Sequence, residues 1–175
     1  MGERRCTIDS SCIIALDHLD LVPRLSLLFS TVLVPKAVRD ELFKVRETED
    51  RLRLIFENYA FFQRCDGYEH GAVDFLLAER NREGAKDRGE VEAIVQASQF
   101  GATVVIDDLW GRKQAKNHSL DVHGTVWVLQ QFHDLDLLSP AALRDCFESL
   151  RQRGTRWPWE TVSELLSEIG QPRLT

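Results

Sequence analysis

The sequence VVIDDLWGRK, residues 104–113, places two adjacent carboxylates directly after a short apolar run. Val104, Val105 and Ile106 are β-branched residues, which favour a buried strand. Asp107 and Asp108 follow at the carboxyl end of this predicted strand. In open α/β sheets, ligands bind beyond the carboxyl ends of the strands. The stretch therefore predicts a core strand with a ligand site at its end.

Strand-like and helix-like segments alternate along the 175 residues of the chain. Short strands are predicted at residues 4–9, 31–35, 61–65, 103–107 and near 122. Amphipathic helices are predicted between them, and the polar segment 81–89 is predicted to be a loop. This alternation is typical of an α/β fold, and the short β-branched strands indicate a buried, mainly parallel sheet.

Charge and hydropathy narrow the class of protein. The formal net charge of −6 does not by itself indicate a nucleic-acid-binding surface, because such proteins are usually basic. It does not exclude one, because bound divalent ions would change the local field. Apolar runs stay well short of the roughly 18 residues that a membrane helix needs, and the N-terminus lacks the apolar core of a signal peptide. We therefore expect a cytoplasmic protein with no membrane segment.

Two glutamates on predicted helices are expected to face inward. On the helix that begins near Pro35, Glu41 lies close to the apolar face and Asp40 lies opposite. On the helix over 89–101, Glu90 lies at the edge of the apolar face, whereas Glu92 groups with polar residues on the solvent side. These two glutamates would approach the carboxyl ends of the strands from the helices around them.

The acids of strand ends and helix faces converge on one predicted cleft: Asp9 after the first strand, Glu41, Glu90, Asp107 and Asp108. Two carboxylates about 4 Å apart repel by about 4 kcal/mol at an effective dielectric of about 20, so a cluster of them would have raised pKa values or require a cation. An all-oxygen ligand set suits Mg²⁺ or Mn²⁺, which hold phosphate oxygens and activate water. Close after the Asp pair, Arg112, Lys113 and Lys116 are candidates for contacts with the phosphates of a bound strand.

Each of these features also has a structural explanation. Asp9, and either Asp107 or Asp108, can cap the helix that follows it. Glu90 lies in a first helical turn, where a carboxylate is favoured in any case, and the head of Glu41 can lie in water. The basic cluster can be a solvated surface. The convergence of two strand ends and two helix faces on one cleft is what favours a functional site.

Four segments occur in a characteristic order: TIDSSCIIAL, VLVPKAVRDEL, RGEVEAIVQA and VVIDDLWGRKQAKNHSLDVHGT. In these segments the chain resembles the PIN-domain family, the metal-dependent nucleases that include the VapC-type toxins of toxin–antitoxin pairs. The resemblance covers residues 5–138 and implies a Rossmann-like three-layer sandwich around a central, mainly parallel sheet. We expect a PIN-like nuclease domain at 1–138, with 139–175 as a C-terminal helical extension of the same domain.

The resemblance also implies roles for individual residues. By position, the Mg²⁺ or Mn²⁺ ligands would be Asp9, Glu41, Glu90 and Asp108, with Asp107 as the close rival of Asp108. Ser11 matches a position at which the family often carries a hydroxyl that supports the site. These four carboxylates would also be the catalytic residues.

The implied activity is hydrolysis of phosphodiester bonds, with an endoribonuclease acting on single-stranded or structured RNA as the first hypothesis. The protein would be the toxin of a toxin–antitoxin pair if a neighbouring antitoxin blocks its acidic cleft. The family often forms homodimers, so we expect one here. The alternative is a catalytically silent module that keeps the fold and binds RNA or a protein partner.

Overall fold

The computed structural model describes residues 4–44, 46–82 and 88–174. Its strands are β1 (Arg5–Ile8), β2 (Thr31–Pro35), β3 (Phe62–Cys65), β4 (Thr103–Val105) and β5 (Val122–His123). Its helices are α1 (Ser10–His18), α2 (Lys36–Leu42), α3 (Arg46–Asn58), α4 (His70–Arg82), α5 (Arg88–Phe100), α6 (Leu109–Asn117), α7 (Thr125–Asp134), α8 (Pro140–Gln152) and α9 (Trp159–Glu168), and a 3₁₀ helix covers Val22–Leu27. Residues 83–87 of the predicted loop lie outside the described residues.

The described strands form one five-stranded sheet in which all neighbours are parallel. The strand order is β3-β2-β1-β4-β5, and helices flank the sheet. This confirms the α/β Rossmann-like fold and each of the predicted strands. Because β2 and β3 lie on one side of β1 and β4 and β5 on the other, the strand order reverses between β1 and β4. That reversal is where an open α/β sheet binds ligands.

The two central strands bring their carboxyl ends together. Ile8 pairs with Val105, and the Asp9 N–H donates to the Val105 carbonyl at 3.0 Å. Ile8, Val105 and Ile106 are fully buried, because the strands are covered on both faces. Buried apolar neighbours thus fix the position of the carboxylates that follow each strand.

Helix α5 is buried on more than one face, which overturns one expectation. The solvent-side position predicted for Glu92 is wrong: this residue is only 1% exposed, and Gln96 is fully buried. The reason is that α5 packs against β1, β2 and β4 and also against α2, α4 and α6. A helix surrounded in this way lacks the single solvent face that the periodicity argument assumed.

The buried Glu92 carboxylate has two partners. It accepts a hydrogen bond from the Ala37 N–H at 2.9 Å, near the start of α2, and pairs with Arg88 Nε at 2.7 Å. A carboxylate is favoured at a helix N-terminus, where it satisfies an unpaired N–H group. Glu92 therefore helps to set α2, which carries Glu41, against α5.

The chain divides into two compact units, Met1–His123 and Gly124–Thr175. The second unit contains α7, α8 and α9, with α8 packed against both of the others. Its buried residues include Phe132, Phe147 and Leu166. The domain boundary proposed after residue 138 stays a prediction. In the described parts of the chain, helices that combine the length and the apolar character needed to cross a membrane are absent.

Candidate active site

Asp9 lies at the carboxyl end of β1 and caps α1. Its Oδ2 accepts hydrogen bonds from the Ser11 N–H at 3.1 Å and from the Ser11 hydroxyl at 2.5 Å. The residue is only 3% exposed. Burial raises the pKa of the Asp9 carboxyl from 3.8 to about 6; the Ser11 hydrogen bonds oppose this rise, and the charge of Glu41 adds to it. The structure thus gives Asp9 its capping role and also places it beside a second acid.

Glu41, near the end of α2, is held by two neutral donors. Its Oε2 accepts a hydrogen bond from the Ser10 hydroxyl at 2.6 Å, and its Oε1 accepts one from the Gly89 N–H at 3.3 Å. A Cβ atom at Gly89 would lie 2.9 Å from Glu41 Oε1, closer than van der Waals contact allows. A side chain at this position would therefore displace the Glu41 carboxylate from the place that it has beside α5.

Glu90 and Asp108 form a second group of acids, and they enclose an arginine. Arg80 Nη1, from α4, lies 2.6 Å from Glu90 Oε2 and 3.2 Å from Asp108 Oδ1. The guanidinium carbon lies 4.5 Å from the centre of the Trp110 ring. Arg80 is 2% exposed and Glu90 6% exposed. The contact between Arg80 and Glu90 is therefore shielded from water. Charge interactions are stronger there than in water, because the effective dielectric is lower.

Asp108 caps α6 as one of the structural explanations foresaw. Its Oδ1 accepts a hydrogen bond from the Gly111 N–H at 2.8 Å. Partial burial opposes the change, but the hydrogen bonds from Gly111 and Arg80 and the charge of Arg80 together hold the pKa of Asp108 below its usual value. Asp107 is half-buried beside it. Asp108 as a metal ligand, with Asp107 as its rival, stays a prediction.

The structure brings the predicted acids to one edge of the sheet in two pairs. Asp9 and Glu41 are close enough for the charge of one to affect the other, and Glu90 and Asp108 share Arg80. The pairs are linked through the backbone, because Gly89, the neighbour of Glu90, contacts Glu41. Among residues 4–44, 46–82 and 88–174, groups of three or more acidic, histidine or cysteine side chains close enough to hold one metal ion are absent.

The three basic residues predicted to bind phosphate differ in their surroundings. Arg112 is half-buried, and its Nη1 donates to the Ile106 carbonyl at 3.2 Å. Lys113 and Lys116 are exposed on α6. The contact with Ile106 gives Arg112 a structural role at the end of β4, whereas the two lysines are accessible to an anionic ligand.

A family model described as a PIN domain matches residues 5–171. The chain belongs to the PIN-domain family. A similar fold occurs in the crystal structure of VapBC2 from Rickettsia felis bound to a DNA fragment from their promoter, with a TM-score of 0.50 and 15% sequence identity. The similarity covers 69% of this chain and 98% of that one, and at this identity it concerns the fold alone. Curated proteins give no match.

The donor set of this PIN domain fits a hard divalent cation. Asp9 and Glu41 supply carboxylate oxygens. The Ser11 hydroxyl orients that of Asp9, and the Ser10 hydroxyl orients that of Glu41. Mg²⁺ usually keeps several waters and is bound through one or two carboxylates plus substrate phosphate, so a pair of acids suffices. Burial, together with the charge of Glu41, raises the pKa of Asp9 and so disfavours its charged form, a cost that a bound cation would offset.

Arg80, the buried cation of the site, was not predicted from the sequence. Arg80 follows Val73 and Leu76 at helical spacing, and all three are buried. An arginine on the apolar face of an amphipathic helix is a visible signal, because a buried charge requires a partner. Ser10 and Gly89, which both contact Glu41, were not predicted as site residues either.

Proposed function

We propose that this PIN domain is a divalent-metal-dependent nuclease, and specifically an endoribonuclease. The observation that carries the proposal is the buried Asp9 beside Glu41 at the reversal of strand order, with each carboxylate oriented by a serine hydroxyl. Mg²⁺ or Mn²⁺ at these two acids would supply Lewis-acid stabilisation of the phosphate and a water nucleophile at neutral pH. Glu90 and Asp108 complete the proposed catalytic set.

The surrounding residues have defined tasks in this proposal. Ser11 and Ser10 fix the direction of the Asp9 and Glu41 carboxylates, which a preorganised site requires. The exposed ammonium groups of Lys113 and Lys116 contact the phosphates of the bound RNA and so position it without reading its sequence. Because such contacts release counterions, RNA binding should weaken steeply as the salt concentration rises.

Purified protein incubated with mixed single-stranded and structured RNA tests the proposal. We expect cleavage that requires Mg²⁺ or Mn²⁺, stops with a chelator, and falls at least about a thousandfold in Asp9→Asn, because metal-assisted charge stabilisation contributes several kcal/mol. Asp40→Asn is the matched control, because Asp40 is an exposed carboxylate that pairs with Lys36, one helical turn away, at 2.5 Å. Equal cleavage by Asp9→Asn and the wild type would end the proposal.

One observation favours the alternative, a catalytically silent module that binds RNA or protein. Arg80 already neutralises part of the charge of Glu90 and Asp108. A protein that binds no metal at these acids would need such a cation. Such a module would bind RNA equally well with and without metal and would show no cleavage above that of Asp9→Asn. The same incubation, read by both binding and product formation, therefore separates the two functions.

We further propose that the nuclease acts in the cytoplasm as the toxin of a toxin–antitoxin pair and forms a homodimer. The family resemblance to VapC-type toxins and the fold shared with VapBC2 support this proposal. Expression in a bacterial host should arrest growth, whereas Asp9→Asn should not. Normal growth with the active protein would remove the toxin assignment and leave the nuclease assignment standing, and sedimentation of the purified chain tests the dimer.

A further inference from the structure

Arg80 occupies the space between two carboxylates of the proposed catalytic set. A single atom, Nη1, contacts both Glu90 Oε2 at 2.6 Å and Asp108 Oδ1 at 3.2 Å. The guanidinium also packs on the Trp110 ring. Arg80 reaches this position from α4, so α4, α5 and the start of α6 all contribute to holding it. The position of the cation is therefore built into the fold.

A metal ion and Arg80 Nη1 cannot share this position. Mg²⁺ binds carboxylate oxygens at about 2.0–2.1 Å. An ion that bridged Glu90 Oε2 and Asp108 Oδ1 would therefore have to lie where Nη1 lies. A metal ion next to the Arg80 guanidinium would also be repelled by its positive charge, and strongly so because the site is shielded from water.

The charge of the site leads to the same conclusion. With Arg80 in place, one divalent ion leaves the four carboxylates with about one excess negative charge, whereas without Arg80 two divalent ions would be needed to neutralise them. A second ion would make the same set positive before any substrate arrives. Arg80 thus supplies from the chain part of the positive charge that a second ion would otherwise supply from solution.

We propose that Arg80 is the resident cation of this site and limits the protein to one divalent ion, held by Asp9 and Glu41. The inference rests on the proposed function, because it concerns the same acidic site. In this arrangement Glu90 and Asp108 serve the catalytic set through Arg80, whose guanidinium they hold in the site, and not as ligands of a second ion. Trp110 stabilises the arrangement by covering the guanidinium.

Counting Mn²⁺ ions bound per chain tests the inference. Metal-free protein is titrated with Mn²⁺, and free Mn²⁺ is followed by electron paramagnetic resonance. We expect one ion for the wild type, none for Asp9→Asn and two for Arg80→Met, in which the carboxylates of Glu90 and Asp108 become available. Arg53→Met is the matched control, because Arg53 is an exposed arginine paired with Glu49 on α3, and it should still bind one ion.

The outcomes separate this inference from the proposed function. Two ions on the wild-type chain, or one ion on folded Arg80→Met, would overturn the role of Arg80 and leave the metal site intact. Failure of the wild type to bind any ion would overturn both proposals. If Arg80→Met does not fold, Glu90→Gln decides: one bound ion, as in the wild type, supports the inference, and loss of the ion shows that Glu90 is a ligand and overturns it.

Discussion

The two acid pairs at the edge of the sheet differ in the kind of donor that holds them. Asp9 and Glu41 receive hydrogen bonds from hydroxyl and backbone N–H groups, which are neutral. Glu90 and Asp108 contact the charged guanidinium of Arg80. The consequences are opposite: burial raises the pKa of Asp9 to about 6, whereas the pKa of Asp108 is held below its usual value despite partial burial.

This difference shows how one site can contain both fixed and exchangeable positive charge. Neutral donors orient a carboxylate without cancelling its charge, so the first pair still attracts a cation from solution. A buried guanidinium permanently offsets part of the charge of the second pair, and its removal would leave uncompensated charge in the protein interior. The variants below change one pair at a time.

Removing the cation of the second pair should have the largest effect on stability. We expect Arg80→Met to lower the free energy of unfolding by about 3–5 kcal/mol, the usual cost of removing one partner of a buried ion pair. Urea unfolding in the presence of a chelator measures this change. Adding Glu90→Gln to Arg80→Met should restore part of the loss, and Arg53→Met should change stability by less than about 1 kcal/mol. Equal losses in Arg80→Met and Arg53→Met would contradict the buried pairing.

Removing the ionisable group of Asp9, in the first pair, should raise the free energy of unfolding instead of lowering it. The pKa of Asp9 is 3.8 in the unfolded reference and about 6 in the folded protein. Between these values the folded state keeps a proton that the unfolded state has lost, so stability falls as the pH rises through this window. The total is about 3 kcal/mol at about 1.4 kcal/mol per pH unit.

Because asparagine does not ionise, metal-free Asp9→Asn should be more stable than the wild type at pH 7, by up to this amount. At a pH below 3.8 the two proteins should be equally stable, since Asp9 is then protonated in both states. Thermal unfolding in chelator at a series of pH values gives the comparison. A stability difference that does not change with pH would show that Asp9 is an ordinary capping residue.

Displacing the Glu41 carboxylate should affect activity more than stability. A methyl group at Gly89 would approach Glu41 Oε1 at 2.9 Å, so Gly89→Ala should shift this carboxylate and reduce kcat/KM about 10–100-fold. Alanine is a better helix former than glycine, which offsets part of the strain. Gly71→Ala, in α4 with open space around the site of the new atom, should leave kcat/KM unchanged. Unaltered activity in Gly89→Ala would mean that the position of Glu41 is unimportant.

The smallest effect is expected from the hydroxyl that orients Glu41. Ser10→Ala removes the 2.6 Å hydrogen bond to Oε2 and should lower kcat/KM about tenfold, with a stability loss of about 1 kcal/mol. Ser26→Ala removes an exposed hydroxyl that donates only to the Pro23 carbonyl, and it serves as the control. If both variants retain full activity, the hydrogen bond from Ser10 does not position a catalytic group.

Local sequence patterns determined the strands and the order of the acids along the chain. The β-branched runs before Asp9 and Asp107 predicted two core strands, and the parallel sheet then placed both strand ends at the same edge. The helical period correctly predicted that Asp40 faces the solvent, where the residue is exposed. These features depend on residues that are neighbours in the sequence, so a single sequence is enough to predict them.

Only the tertiary structure decided how the acids are paired and which charges balance them. Arg80 meets Glu90 and Asp108 because α4, α5 and α6 pack together, and Glu92 is buried because α5 has neighbours on several sides. Helical periodicity describes one helix against one core and carries no information on a second or third neighbour. The sequence thus determined which groups reach the edge of the sheet, and the packing of distant segments determined the electrostatic environment of each.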